Sequence, residues 1–130
     1  MGDGRKTTPP KTGRRYKAYA AETGVSYQYF FDHRRRVQRP QGAGRGSDFD
    51  FVITADQHPP FLLRVFVADS ASERWQQVHG RPLDSNEQYA AAKMRLFHAF
   101  DIIENVREHW LNLVVDETNV VELLGPLELG

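Results

Sequence analysis

The chain has 130 residues, of which 40% are hydrophobic and 26% charged, with no cysteine and no net charge. That size and composition fit one domain with a core of its own, and the missing thiols exclude a disulfide scaffold, a cysteine nucleophile and any cysteine-ligated zinc or iron–sulfur site. The zero sum hides an asymmetry: residues 1–47 carry eleven Lys/Arg against three Asp/Glu, and residues 48–130 carry six against fourteen.

Residues 1–15 hold Gly2, Gly4, Pro9, Pro10, Gly13 and five basic residues, with no apolar side chain after Met1. Such a segment buries too little surface to offset the entropy of ordering it, so a disordered basic tail is predicted, followed by a single domain over 16–130. No apolar stretch follows the basic residues as a secretion signal requires. Met1-Gly2 opens like a myristoylation signal, but Lys6 stands where that signal needs Ser or Thr. The best apolar run, Phe61 to Ala68, is interrupted by Arg64 and falls far short of the roughly 18 residues of a membrane span. A cytoplasmic protein with no membrane partner is expected.

A short strand is predicted over Tyr16 to Ala20, then a turn at Thr23-Gly24. Val25 to Val37 reads as a strand, with Val25, Tyr27, Tyr29 and Phe31 on one face and Ser26, Gln28, Asp32, Arg34 and Arg36 on the other. Pro40 to Ser47 reads as a loop by its glycines. Asp48 to Thr54 alternates again, with Phe49, Phe51 and Ile53 against Asp48 and Asp50. After a turn over Asp56 to Pro60, Phe61 to Val67 gives a third long strand with Phe61, Leu63, Val65 and Val67 on its core face. Short connections make these an antiparallel meander.

Ser70-Ala71-Ser72-Glu73 has capping-box spacing and predicts a short helix to Val78 that stops at Gly80. Asp84-Ser85-Asn86-Glu87 repeats that signature before a long amphipathic helix. Its apolar stripe is Tyr89, Ala92, Leu96, Phe100 and Ile103, flanked by Phe97, with Ala91, Arg95, His98 and Asn105 opposite. A break near Glu108 is expected, then a strand from Trp110 to Val115 and a last helix over Glu117 to Leu124, stopped by Gly125-Pro126. A hairpin using Val120 to Leu124 is the alternative. The fold class is therefore α+β: a meander of four to five strands, packed on one face by the long helix, with one or two short helices.

Arg34, Arg35 and Arg36, with Arg39 and Arg45 nearby, form the first candidate site, a basic patch of the kind that neutralises nucleic-acid phosphates. The competing use is structural. Pairing across the 38–47 loop sets Arg34 and Arg36 on the face of Asp48 and Asp50, where cross-strand ion pairs form. The glycine run Gly42 to Ser47 matches no nucleotide motif: Ser47 replaces the last glycine of a dinucleotide loop, a strand follows instead of a helix, and no Gly-Lys-Ser/Thr triplet occurs.

His33, His58, His79, His98 and His109 form no metal-binding spacing, and the row Asp101, Glu104, Glu108 fits a solvated helix face. No cofactor or metal site is expected, and a His/carboxylate enzyme remains only as a minor reading. The fourth candidate is the outer sheet face, where Phe30, Val52, Leu62 and Phe66 interrupt the polar pattern. If aligned, they make an apolar patch rimmed by Gln28, Asp32, Asp50, Thr54 and Arg64, the usual mark of a partner surface. The monomer could equally cover it with the Tyr16–Tyr19 segment or the last helix. An interaction or accessory domain, pairing with a protein partner or with itself, is the leading expectation; a nucleic-acid module is the alternative.

Overall fold

Alternating β-branched and aromatic residues build long strands because each can bury one face and wet the other. A computed structural model describes residues 16–39, 44–55, 58–103, 106–109 and 113–127, and the expected disordered tail lies outside them. The strands are β1 (Lys17–Ala20), β2 (Ser26–Arg39), β3 (Gly44–Ala55), β4 (Phe61–Ala68) and β5 (Leu113–Val115), in the spatial order β1-β2-β3-β4-β5. The first four form an antiparallel meander, as expected. β5 departs from it by pairing parallel to β4, with Val65 beside Leu113 and Val67 beside Val115. Two helices intervene between β4 and β5, and a connection of that length is what parallel pairing requires.

β2 and β3 run further than their sequence pattern predicts. β3 starts at Gly44, so Gly44 to Ser47 is strand and not loop, while residues 40–43 lie outside the described residues. Gly46 belongs in the strand because it sits under the Phe66 ring, where a side chain has no room. A second departure lies in the register. Phe31 faces Phe51 but His33 faces Asp50, so Asp32 is an extra residue in a β-bulge. A one-residue slip reverses the faces of everything beyond it. Arg34 and Arg36 therefore do not share the face of Asp48 and Asp50; Arg35 and His33 do.

α1 (Asp69–His79) follows β4 without a loop and ends at Gly80, whose φ of 84° gives the left-handed stop that glycine favours. The capping box expected at Ser70 is not formed. The helix begins two residues earlier, at Asp69, with Ala68 at the cap position. Ser72 serves the next connection instead, its hydroxyl accepting from the Leu83 amide at 2.9 Å. α2 (Ser85–Ile102) has the predicted capping box: Asp84 accepts from the Glu87 amide, and the Glu87 carboxylate accepts from the Asp84 amide. It stops at Ile102, earlier than the expected break near Glu108, and a 3-10 turn (Val106–His109) follows. Of the row Asp101, Glu104, Glu108, Asp101 lies in the last turn of α2. Glu104 and the side chain of Glu108 lie outside the described residues. Of the predicted strand from Trp110, the described part is β5. α3 (Val120–Leu124) then forms inside the range of the helical reading, three residues after its expected start at Glu117, following a turn in which Asp116 accepts from the Thr118 amide and hydroxyl. It runs on into a 3-10 turn (Gly125–Leu127) instead of stopping at Gly125-Pro126.

All three helices pack on one side of the sheet. Tyr27, Tyr29, Phe49, Phe51, Ile53, Leu63, Val65 and Val67 meet Ala71, Trp75, Leu96, Phe100, Val120 and Leu124 in a single core. Phe100 stacks on Tyr27 at 4.0 Å between ring centroids. Ala91, expected on the polar side of α2, is fully buried, because α2 packs against both the sheet and α3. No described helix is long and apolar enough to cross a membrane.

Candidate functional site: the outer face of the sheet

The opposite sheet face is built in rows by the strand register. Phe30 lies beside Val52, and Val52 beside Leu62. Tyr16 extends this row, its ring meeting Phe30 edge-on at 5.0 Å. Three of the four apolar residues singled out in the sequence therefore align. Phe66 does not join them. It sits beside Asp48, two rows away, with the Arg39 guanidinium 5.0 Å above its ring. Phe30 and Phe66 are mostly buried, Val52 is half-buried, and Leu62 and Tyr16 are 39% and 40% exposed. Tyr16 thus covers part of the patch, while Tyr19 turns to the helix side and stacks on Phe97 at 4.2 Å.

The next two rows are polar. His33, Asp50 and Arg64 make one; Arg35, Asp48 and Phe66 make the other. Both carboxylates are buried, Asp48 completely and Asp50 to within 2% exposure. A buried carboxylate survives only when paired. Arg64 grips Asp50 with two hydrogen bonds of 2.7 and 3.0 Å. Arg39 bonds Asp48 at 2.5 Å, and Arg35 and Arg64 stand 3.6 and 3.7 Å from its other oxygen. Burial alone would raise the Asp50 carboxyl, but the Arg64 hydrogen bonds and the charges of Arg64, His33 and Arg35 outweigh it and hold it below its usual value.

The remaining arginines turn to the helix side. Arg36 makes paired hydrogen bonds of 2.9 and 2.8 Å with Asp69, which keep that carboxyl below its usual value against the smaller effect of burial. Arg34 donates to Ser47 and Gln88 and lies over the Phe49 ring. Arg45 donates to Gln38. The basic run is thus divided between two faces, and Arg35, Arg36 and Arg39 each have a carboxylate partner. Among the described residues no three His, Asp or Glu side chains are grouped to hold a metal.

Glu87 is also held below its usual value, first by its hydrogen bonds to Arg81, with burial acting the other way. These depressed carboxyls give a pH prediction. A group that is more acidic when folded stabilises the fold above its unfolded pKa of about 4 and loses that contribution as pH falls through the folded value. The urea midpoint is expected to be flat from about pH 7 to 5 and to drop below about 4. Asp50→Asn should be less stable at neutral pH and show a shallower acid slope. An unchanged slope would mean that Asp50 is not held by Arg64.

One feature of the helix side was not visible in the sequence. A cleft lies between α2 and α3, with Tyr19 of β1 on its wall. The Tyr19 hydroxyl donates to Asp101 at 2.7 Å, and the Glu22 amide donates to the other Asp101 oxygen at 2.9 Å. Burial, reinforced by Asp101, pushes the Tyr19 hydroxyl up to about 12, so it remains a donor. The only sequence signal for this cleft is the helical spacing of its α2 residues, which core residues also follow.

Compared with family models, curated proteins and solved structures, the chain matches none.

Proposed function

We propose that this chain is a non-catalytic interaction domain that pairs with a second copy of itself through the outer face of its sheet. The observation that carries this reading is the row Tyr16, Phe30, Val52, Leu62, bounded on one side by Gln28 and Thr54 and on the other by His33, Asp50 and Arg64. Apolar side chains in line across a sheet, inside a polar rim, have the anatomy of an interface. A second copy fits because the rim is neutralised within each chain. Asp50 is held by Arg64 and Asp48 by Arg39, so two identical faces meet about a two-fold axis without bringing unpaired like charges together.

The arginine run supports nucleic acid less well. Binding along a phosphate backbone needs cations presented together, and here three of the five already face carboxylates.

Light scattering behind size exclusion tests the pairing. The expected mass is near twice 14.9 kDa, with little dependence on salt. Leu62→Asp places a charge in the middle of the row and should weaken the dimer by roughly a hundredfold, or about 3 kcal/mol, with an unchanged far-ultraviolet circular dichroism spectrum. A wild-type chain that stays monomeric at millimolar concentration would sink the proposal. A mass shift that appears only with short nucleic acid at low salt would move the function to the arginines.

A further inference from the structure

The cleft between α2 and α3 has a volume of about 510 Å³, within the range of pockets that hold small organic ligands. Met94 and Phe97 of α2 and Leu123 and Pro126 at the C-terminal end of the chain give it apolar walls. Arg95 also lines it, and the Nε of Arg95 donates to the Val114 carbonyl of β5, which puts the guanidinium on the sheet side of the cleft. His98 and Glu122, both exposed, stand at the solvent side.

The guanidinium carries an unmet demand. Arg95 Nη1 is shut off from solvent and has no hydrogen-bond partner among the described residues. A buried cationic donor left unpaired is costly, more so than a neutral one. Burial pushes the Arg95 pKa down, and the charge of Asp116 opposes this only in part. The Oδ1 of Asp116 is already taken by the Thr118 amide and hydroxyl. Asp101 has one oxygen on Tyr19 and the other on the Glu22 amide. No carboxylate among the described residues bonds Arg95, and with Nε on the Val114 carbonyl and Nη1 closed off, an acceptor in the cleft reaches the guanidinium through Nη2.

We propose that this cleft binds a small monocarboxylic acid with an apolar body, alkyl or aryl, whose carboxylate pairs with Arg95 while its body lies on Met94, Phe97, Leu123 and Pro126. The orientation is fixed by charge. Glu122 and Asp101, which both line the cleft, repel a carboxylate, and Arg95 attracts it to the sheet side. The site lies on the helix side of the sheet, so it stands or falls independently of pairing through the outer face.

The test is a nuclear magnetic resonance titration of the full chain with decanoate, decanol and decylammonium in parallel. Decanoate should shift the Met94, Phe97 and Leu123 signals saturably and bind at least roughly tenfold more tightly than decanol. Arg95→Met should abolish that preference while leaving decanol binding in place. Decanoate that produces no saturable shift, decylammonium that binds more tightly than decanoate, or a preference that survives in Arg95→Met would each overturn the proposal. Leu123→Trp supplies a second variant that leaves Arg95 in place. Filling the cleft must abolish decanoate binding, and binding that persists in a folded Leu123→Trp protein rejects this site.

Discussion

Asp48→Ala is expected to destabilise the protein by about 3 kcal/mol or more. Asp48 is fully buried on β3, and Arg35, Arg39 and Arg64 all point at it. Removing the carboxylate leaves three guanidinium groups converging on an apolar methyl. Arg64 keeps its paired bonds to Asp50, but Arg39 loses its only ion pair among the described residues. Because these arginines are 34–44% exposed, water takes up part of the loss. That places the expected value at the lower end of the range for broken buried pairs, about 3–5 kcal/mol.

The complementary change separates charge from packing. Arg39→Ala removes one of the three cations and leaves Asp48 with Arg35 and Arg64, so it is expected to cost less than half as much. Urea unfolding monitored by tryptophan fluorescence reports both, since Trp75 is buried in the core. The slope should stay constant if only stability changes. If Arg39→Ala proves as costly as Asp48→Ala, the carboxylate is not shared as the geometry implies.

This cluster shows where the sequence can be read and where it cannot. The alternation in Phe49, Phe51 and Ile53 gives both faces of β3 directly, and Phe30 aligns with Val52 and Leu62 because it precedes the bulge in β2. Beyond Asp32 the same alternation points the wrong way. Nothing in Phe31-Asp32-His33 announces an extra residue, and one slip exchanges Arg34 and Arg36 for Arg35 as partners of the buried aspartates. Capping signatures were informative in the same uneven way. Asp84 and Glu87 follow a loop and form their box, whereas Ser70 follows a strand that runs straight into its helix. The parallel pairing of β5 and the α2–α3 cleft depend on how distant elements pack, which local periodicity does not encode.

Gly46 lies in a glycine run whose composition says loop, and its substitution is expected to be nearly as damaging as that of Asp48. A Cβ on Gly46 would stand 2.4 Å from the Val67 carbonyl oxygen and 2.7 Å from two atoms of the Phe66 ring. The oxygen belongs to a strand fixed by the β3–β4 ladder, where Ser47 faces Val67, so it cannot move away without breaking that pairing. The ring can tilt, but it carries Arg39 on its face, and Arg39 holds Asp48. Gly46→Ala should therefore cost about 1–3 kcal/mol and Gly46→Val roughly 3 kcal/mol or more. Gly44→Ala is the control. It has open space around it and a φ of 75°, so only backbone strain of about 1–2 kcal/mol opposes a side chain there. Combining Gly46→Ala with Phe66→Ala divides the clash into its parts, because a double-mutant cycle reports the coupling directly. A substantial coupling assigns the glycine to seating Phe66 beneath Arg39. A coupling near zero with the full single-mutant loss assigns it to the Val67 carbonyl, and a Gly46→Ala protein as stable as the wild type would remove both.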